Sequence, residues 1–154
     1  MATLSAGDRA PEFSLPDQDG NTVTLSELLT TGPVVLFFYP IASSSGCTQE
    51  ACHFRDLAAE FAEHHAHRVG ISTDAVAKQK NFDTGNSLGY PLVSHESGEV
   101  ARAFGVKRGL LGKLAPVKRK TFVIGTDGVI KAVIGSETKM AAHGDDSLKA
   151  LASL

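Results

Sequence analysis

The stretch Val34-Val-Leu-Phe-Phe-Tyr39 is an unbroken run of β-branched and aromatic residues, bounded by Gly32-Pro33 and by Pro40. Such a run is typical of a strand that is buried on both faces, as in a parallel or mixed sheet covered by helices. The apolar run continues to Ala42, but it reaches only about half the length of a membrane span and contains Pro40. We therefore interpret it as a buried strand of an α/β fold.

The segment after this strand changes from a loop to a helix. Residues 41–46 form a small, mostly polar loop. Between residues 47 and 67, apolar side chains recur at spacings of three and four positions: Ala51, Phe54, Leu57, Ala58 and Phe61. This is the period of an amphipathic helix, so the sequence predicts one helix over about residues 47–67.

The rest of the chain predicts strands and helices in alternation. In chain order they are a hairpin at residues 13–15 and 22–25, a short helix capped by Ser26, a strand at 68–73, a helix at 75–82 capped by Asp74, an extended segment at 90–93, a helix at 99–104, a hairpin at 121–124 and 129–134, and a C-terminal helix with Asp145 or Asp146 near its start. This order predicts an α/β sandwich in which parallel strands come first and an antiparallel edge comes last.

Composition and charge exclude several classes of protein. The chain has 154 residues without a repeat or a linker-like tract, which predicts a single domain over residues 1–154. Its formal net charge is −2, so no overall field favours nucleic acid or an anionic membrane. Two cysteines are too few for a disulfide-stapled secreted fold, and no secretory signal is visible at the N-terminus. We therefore expect a cytoplasmic protein whose cysteines are reactive.

Cys47 lies where the loop becomes a helix. The first amides of a helix have no internal partners, and the helix dipole places partial positive charge there. Both effects favour a thiolate, which is the nucleophilic form of cysteine. Ser44 supplies a hydroxyl three residues upstream that could bind the sulfur or a bound oxygen, and Pro40 stiffens the exit of the strand. These residues predict a nucleophilic site for a small electrophile.

The pattern Pro40-x3-Ser44-x2-Cys47 resembles the signature of the peroxiredoxins, which belong to the AhpC/TSA-like group of thioredoxin-like proteins. The wider match, to the peroxiredoxin Q or bacterioferritin comigratory protein subfamily, covers nearly the whole chain. It includes Gly7-Asp-x-Ala-Pro-x-Phe13, Leu15-Pro-Asp-Gln-x-Gly20, Gly46-Cys-Thr-x-Glu-Ala-Cys52, Gly70-Ile-Ser-Thr-Asp74, Phe104-Gly-Val106 and Arg119-x-Thr-Phe-Val123.

This resemblance implies a thioredoxin-like three-layer sandwich: a central mixed sheet flanked by helices, with an N-terminal β-hairpin extension. It implies reduction of hydrogen peroxide and organic hydroperoxides without a metal or an organic cofactor. It also implies recycling by thioredoxin or a glutaredoxin-like dithiol reductant, and a monomer. In this reading the protein is an atypical two-cysteine enzyme that binds neither nucleic acid nor membrane.

The resemblance also implies roles for individual residues. Cys47 would attack the peroxide, and Ser44 stands where a threonine usually orients it. Arg119 would stabilise the thiolate and the developing oxygen charge, as suits a permanent cation with a rigid fork of donors. Tyr39 and Pro40 would form walls of the pocket, which also includes Gly46. Glu50 would orient Arg119.

Cys52 lies five positions after Cys47, and the resemblance implies that it resolves the oxidised sulfur as an intramolecular disulfide. In an intact helix this offset separates the two Cα atoms by about 8–9 Å. A disulfide requires about 7 Å or less, so resolution would need the first turns of the helix to unwind. The subfamily usually has threonine at position 44 and proline at position 45. Ser45 here predicts a more flexible loop.

Other interpretations remain open. A thioredoxin-like disulfide reductase or isomerase would use Cys-x-x-Cys, which this chain lacks, and a non-catalytic holdase could use the same scaffold with an altered loop. His64, His65 and His67 invite a metal site, but we interpret them as a polar helix end. The basic stretch at residues 107–120 holds six Lys or Arg residues, and we interpret it as a solvated loop rather than a nucleic-acid site.

Overall fold

The computed structural model describes residues 3–106, 117–136 and 138–154. In chain order its elements are β1 (Ser14–Pro16), β2 (Thr22–Thr24), α1 (Leu25–Leu29), β3 (Val34–Phe38), α2 (Ser45–Asp56), α3 (Ala58–Glu63), β4 (His67–Ser72), α4 (Val76–Asn86), β5 (Leu92–Ser94), α5 (Glu99–Phe104), β6 (Lys120–Ile124), β7 (Ile130–Gly135) and α6 (Met140–Ala152). Most of the basic stretch at residues 107–120 lies outside the described residues.

The central sheet has five strands in the order β5-β4-β3-β6-β7. Strand β3 pairs parallel with β4, which pairs parallel with β5. On its other side β3 pairs antiparallel with β6, and β6 with β7. The two short strands β1 and β2 form a separate antiparallel hairpin. The predicted fold class, a mixed sheet flanked by helices with an N-terminal hairpin extension, is therefore confirmed.

The alternation of side chains along β3 builds a core on each face of the sheet. Val34, Leu36 and Phe38 point into one cluster, which also receives Leu25 of α1 and Phe104 of α5. The intervening side chains point into a second cluster, which receives α2, α3, α4 and α6; its β3-derived members are Val35, Phe37 and the following Tyr39. All six side chains are fully buried, as the continuous apolar run predicts. The sheet therefore separates two helical layers.

The predicted helix over residues 47–67 is wrong in two respects, because it is two helices and because the second ends at Glu63, before His67 begins β4. Helix α2 ends at Asp56 and α3 begins at Ala58, with Leu57 at φ −94° and ψ 18° between them. At this point Arg68 of β4 donates a hydrogen bond of 2.8 Å to the carbonyl oxygen of Phe54. The apolar spacing is the same on both sides of the break, so the local pattern could not reveal it.

Three predicted helix caps are also wrong. Ser26 lies inside α1, and its backbone N–H donates to Oε1 of Glu12 at 3.1 Å. Helix α4 begins at Val76 with Ala75 as N-cap, whereas Asp74 binds the loop before α2. Helix α6 begins at Met140, and Asp145 instead pairs with His53 of α2 at 2.8 Å. Asp74 and Asp145 thus bind other segments of the chain, and the backbone of Ser26 binds Glu12.

None of the helices in the described part of the chain is both long and apolar enough to span a lipid bilayer.

Candidate active site

Cys47 is positioned by the capped N-terminus of α2. Ser44 is the N-cap residue, and its hydroxyl accepts a hydrogen bond of 3.3 Å from the backbone N–H of Cys47. The same hydroxyl donates to the carbonyl oxygen of Ile41 at 3.1 Å. In this state Ser44 therefore caps the helix instead of binding the sulfur. Cys47 is 1% exposed and lies in the first turn, where unpaired amides and the helix dipole favour an anionic sulfur.

Arg119 is brought to this turn by the pairing of β6 with β3. Phe38 at the end of β3 is opposite Lys120, so the residue before Lys120 lies at the edge where α2 begins. Its Nη2 donates to Sγ of Cys47 at 3.3 Å, and its Nη1 donates to Oε1 of Glu50 at 2.9 Å. One guanidinium thus joins a sulfur and a carboxylate that lie one helical turn apart.

The charges around Arg119 hold it in its protonated form. Burial alone would lower its pKa, because the protonated guanidinium loses water. The attraction of Glu50 and of Cys47 outweighs this effect, so that the pKa of Arg119 is raised above its ordinary value. The cation is 6% exposed and Glu50 is fully buried, which removes most of the screening that weakens exposed pairs.

Gly46 makes room for the guanidinium. A Cβ atom at this position would stand 3.2 Å from Nη2 of Arg119 and 3.4 Å from Cε of Met140. A side chain there would press on the group that contacts the sulfur. Gly46 therefore belongs to the site because it lets the guanidinium of Arg119 approach the backbone of α2 closely.

Tyr39 and Pro40 lie at the end of β3, where the pocket walls are predicted. Tyr39 is fully buried, and its hydroxyl donates to Oε1 of Gln79. Burial raises its pKa well above the ordinary value for a phenol, so it is neutral in the folded protein. Pro40 is half-buried between this strand and the loop. The structure thus places Tyr39 in the core beneath Cys47, and Pro40 nearer the surface.

Asp74 holds the loop before α2, a role that the sequence analysis missed. Its Oδ2 accepts hydrogen bonds from the backbone N–H of Ala42 at 2.7 Å and from the hydroxyl of Ser72 at 2.8 Å. Between Ala42 and the N-cap, Ser43 adopts a left-handed conformation with φ 68°. A non-glycine residue in this region is strained unless its surroundings hold it. The carboxylate anchors the backbone next to that position.

Cys52 is half-buried on the same helix, and both cysteines are free thiols. Its Sγ lies 3.7 Å from Oδ1 of Asn86, the last residue of α4. Because α2 is continuous from Ser45 to Asp56, helix geometry separates the two cysteine Cα atoms by about 8–9 Å. This exceeds the distance that a disulfide can bridge, so the structure represents a state with the helix wound.

His143 also faces the site and was not singled out from the sequence. It lies on α6, is fully buried, and has Nδ1 3.4 Å from Oε2 of Glu50. No local motif marks this histidine, because the contact depends on how α6 packs against α2. The predicted residues Cys47, Ser44, Glu50 and Arg119 thus come together at one helix N-terminus. Asp74 anchors the preceding loop, and His143 lies beside Glu50.

A sheet of this topology, with a buried thiol at a helix N-terminus facing a buried arginine, defines a thiol-dependent peroxidase. The model of the AhpC/TSA family matches residues 6–133. The chain belongs to that family.

Similar proteins support the peroxiredoxin Q subfamily. The crystal structure of peroxidoxin BcpB from Mycobacterium tuberculosis is 58% identical in sequence, covers 98% of both chains and has a TM-score of 0.94. Chloroplastic peroxiredoxin Q of Suaeda salsa is 38% identical over all of this chain and 71% of its own length. A structure of the bacterioferritin comigratory protein of Xanthomonas campestris, studied for alkyl peroxide reduction, is 30% identical, with a TM-score of 0.82 over 92% of this chain and 90% of that one. The predicted thioredoxin-like fold and peroxidase function are confirmed.

Proposed function

We propose that Cys47 is the peroxidatic cysteine, that Cys52 resolves it, and that thioredoxin or a glutaredoxin-like dithiol protein recycles the enzyme. The observation that carries this proposal is the contact of 3.3 Å between Nη2 of Arg119 and Sγ of Cys47 at the N-terminus of α2. A fixed cation beside a buried sulfur favours the thiolate and stands where charge develops on an oxygen bound next to it.

In the first step the Cys47 thiolate attacks one oxygen of the peroxide. A sulfur–oxygen bond forms and the oxygen–oxygen bond breaks, so the sulfur becomes sulfenic acid and the second oxygen leaves as hydroxide or alkoxide. The leaving oxygen takes up a proton and departs as water or an alcohol. Arg119 stabilises its negative charge, and Gly46 leaves room for the guanidinium beside the sulfur. Pro40 forms a wall of the pocket, and Ser44 can turn its hydroxyl toward the substrate.

In the second step the thiolate of Cys52 attacks the sulfur of the sulfenic acid. A disulfide forms, and hydroxide leaves and becomes water. Because the intact helix keeps the two residues apart, α2 must unwind between them before the bond can form. Two electrons from an external dithiol then reduce the disulfide, and the helix can rewind.

Two variants test this assignment. In Cys47→Ser, we expect rapid peroxide consumption to be lost, because serine is a far weaker nucleophile. In Cys52→Ser, we expect one turnover, followed by accumulation of sulfenic acid on Cys47 and loss of reductant-driven cycling. Each variant keeps a single cysteine, since the chain has two, so mass spectrometry of the intact protein identifies the oxidised residue without ambiguity.

Two outcomes would contradict the proposal. Wild-type peroxide consumption by Cys47→Ser would remove Cys47 from the reaction. Cycling of Cys52→Ser at the wild-type rate would mean that an outside thiol resolves the sulfenic acid. Insulin reduction by the wild-type protein would favour a disulfide reductase, and peroxide-independent suppression of aggregation alone would favour a holdase.

The cysteine content also supports a setting for the reaction. Two free thiols suit a reducing compartment, and we propose the cytoplasm. We propose that the protein works as a monomer, as the resemblance to peroxiredoxin Q implies, and the proposed disulfide within one helix needs no second copy. Size-exclusion chromatography with light scattering, on reduced and on oxidised protein, tests this state directly.

A further inference from the structure

A chain of hydrogen bonds joins the core to the loop before α2. The hydroxyl of Tyr39 donates to Oε1 of Gln79, near the start of α4. Nε2 of Gln79 donates to the hydroxyl of Ser72 at 3.0 Å, and that hydroxyl donates to Oδ2 of Asp74 at 2.8 Å. The first three of these side chains are fully buried. Tyr39, Gln79, Ser72 and Asp74 are together called the buried network below.

Gln79 fixes the direction of the bonds in the buried network. Its Nε2 also donates to the carbonyl oxygen of Val93 at 3.0 Å, and a carbonyl only accepts, so the amide cannot be reversed. Because Nε2 donates to the hydroxyl of Ser72, this hydroxyl has to direct its own proton to another acceptor, which is Asp74. The backbone N–H of Asp74 donates back to Ser72 at 3.2 Å. Gln79 thus makes Ser72 a donor to the carboxylate.

Asp74 carries this orientation into the loop. Its Oδ2 accepts from both the Ser72 hydroxyl and the Ala42 amide, while its Oδ1 pairs with Lys78 at 3.2 Å. A carboxylate that is bound at both oxygens keeps its orientation. The next residue of the loop, Ser43, has φ 68° and keeps this strained conformation only where its surroundings hold it. The carboxylate therefore fixes the backbone at the point where the loop is most strained.

We propose that Gln79 is a positioning residue for the peroxide step. Through Ser72 and Asp74 it fixes the loop before α2, which ends in the N-cap Ser44. The cap in turn places Cys47, whose backbone N–H it binds. The proposal rests on the function proposed above for Cys47, and it adds that α4 takes part in building the reactive site. Gln79 acts through the loop and not by contact with the peroxide.

Gln79→Met tests the proposal, with Gln18→Met as the matched control. Methionine has nearly the length of glutamine and lacks its amide donors and acceptor. Gln18 is also buried and also makes three side-chain hydrogen bonds, which join it to Asp83, Tyr90 and Leu92. These bonds hold the segment that leads into β5 and not the loop before α2. We therefore expect denaturant titration to show a similar loss of stability in both variants.

The two variants should differ in the peroxide step. We expect the rate constant for sulfenic acid formation, measured by stopped flow in a single turnover, to fall about tenfold in Gln79→Met, because small displacements of reacting groups are costly. In Gln18→Met it should stay within about twofold of wild type. We expect disulfide formation, followed by rapid-quench alkylation, not to slow in Gln79→Met, since a looser cap favours the opening of α2.

The amide proton of Ala42 reports the loop directly. We expect it to exchange with solvent about fivefold faster in Gln79→Met, the factor that corresponds to the net contribution of one hydrogen bond. Its exchange, followed by NMR, should be unchanged in Gln18→Met. This measurement does not depend on the peroxidase reaction.

Ser72→Ala tests the same path without a change in α4. It removes one hydroxyl from the middle of the buried network, and we expect the same slower peroxide step and the same faster exchange at Ala42. Combined with Gln79→Met, it should cause little further loss of rate, because both substitutions remove the bond between these two residues.

Three results would overturn the proposal. The first is a wild-type peroxide rate in Gln79→Met or in Ser72→Ala. The second is equal slowing in Gln79→Met and Gln18→Met, which would reflect general destabilisation. The third is a double variant in which the two losses multiply. The role of Cys47 is judged separately by Cys47→Ser, so failure of the Gln79 proposal leaves that role standing.

Discussion

Arg119 offers two nitrogens of one rigid group to two acceptors, the sulfur of Cys47 and the carboxylate of Glu50. The planar fork of the guanidinium makes this possible, because its donors diverge at fixed angles. An ammonium group carries the same charge on one nitrogen at the end of a flexible stem. Charge alone therefore does not reproduce the arrangement at this site.

We expect Arg119→Lys to reduce the rate constant for peroxide reduction by about 100-fold, the typical cost of losing one pre-organised donor to developing charge. Lysine keeps the positive charge but cannot bridge Glu50 and the sulfur in the observed geometry. Stopped-flow measurement of sulfenic acid formation checks this result. Arg55→Lys is the matched control, since Arg55 lies on the same helix as Cys47 with its guanidinium paired to Asp56. A rate within about twofold of wild type in Arg119→Lys would show that the charge suffices.

Ser45 occupies the first position of α2, where proline is well suited. A proline there loses only an N–H that has no partner within the helix, and it requires an extended preceding residue. Ser44 is already extended, with φ −71° and ψ 157°. We therefore expect Ser45→Pro to raise the free energy of unfolding by about 0.4–1 kcal/mol, through the lower entropy of the unfolded chain. Denaturant titration measures the change.

The same substitution two residues earlier is the control. Ser43 has φ 68°, whereas proline fixes φ near about −65°, so Ser43→Pro cannot keep the native loop. We expect Ser43→Pro to lower the free energy of unfolding and to slow peroxide reduction. If the two proline substitutions changed the free energy of unfolding equally, the backbone conformations at residues 43 and 45 would not determine the change in stability.

At the level of single residues, the sequence reveals those that belong to a local pattern. Cys47 and Ser44 lie three positions apart at a recognisable helix start, so their types and spacing can be interpreted directly. Asp74 binds a backbone amide that is 32 positions away, and His143 bonds to a hydroxyl 22 positions away. Such contacts depend on the register of strands and the packing of helices, which the local pattern does not contain.

Helix α2 carries both cysteines and is attached to the rest of the molecule near its C-terminal half. The hydroxyl of Tyr90 donates to the carbonyl oxygen of Ala51 at 2.7 Å, and Arg68 donates to that of Phe54. His53 pairs with Asp145 of α6. The first turn is held mainly by its cap and by Arg119. Unwinding from the N-terminal end therefore breaks fewer of these contacts than unwinding from the other end.

This asymmetry predicts how the helix controls disulfide formation. Gln49 is exposed and lies between the two cysteines. Glycine is about 1 kcal/mol less favourable than alanine within a helix. We therefore expect the disulfide to form about fivefold faster in Gln49→Gly than in Gln49→Ala, since 1 kcal/mol changes the population of an opened state by that factor.

The two Gln49 variants form their own control, because neither keeps the glutamine. Rapid-quench alkylation after one equivalent of peroxide measures disulfide formation, and stopped flow measures the first oxidation. We expect the first oxidation to be equal in both variants. If their disulfide formation rates are equal as well, opening of α2 does not limit the resolving step.

At the level of elements, patterns with strong periodicity are predictable and their interruptions are not. The run that forms β3 and the hairpin that forms β6 and β7 are visible in the sequence, because burial on both faces and a turn signal are local features. The break at Leu57 and the early start of α6 at Met140 are not visible. The break at Leu57 arises where Arg68 of β4 binds the carbonyl oxygen of Phe54.

Across the whole molecule, the second core cluster connects the sheet to the reactive helix. Phe37 stacks on Phe54 of α2 with ring centroids 4.3 Å apart, and it contacts Tyr90 and Tyr39 on either side. Cys47 and Ala51 belong to the same cluster. The floor of the site is thus made from the aromatic core, so the position of the thiol is tied to the integrity of the fold.

Ionisation of the two buried tyrosines at high pH shows whether this core is intact. The chain has two tyrosines and no tryptophan, and burial is the largest cause that raises the pKa of both Tyr39 and Tyr90 above the ordinary 10.0. In the unfolded chain these phenols ionise near the ordinary value. The folded state therefore binds more protons than the unfolded state above pH 10, and its stability falls as the pH rises through that range.

We expect neither phenol to ionise while the protein remains folded. In a stepwise alkaline titration, the near-ultraviolet absorbance of tyrosinate should appear together with the loss of far-ultraviolet circular dichroism, as one transition. Tyr39→Phe should halve the tyrosinate amplitude and keep the coincidence, because Tyr90 remains buried with its hydroxyl on Ala51. Ionisation of either tyrosine at pH 10 with native circular dichroism would show that water reaches the floor of the site, and that the thiol does not rest on a closed core.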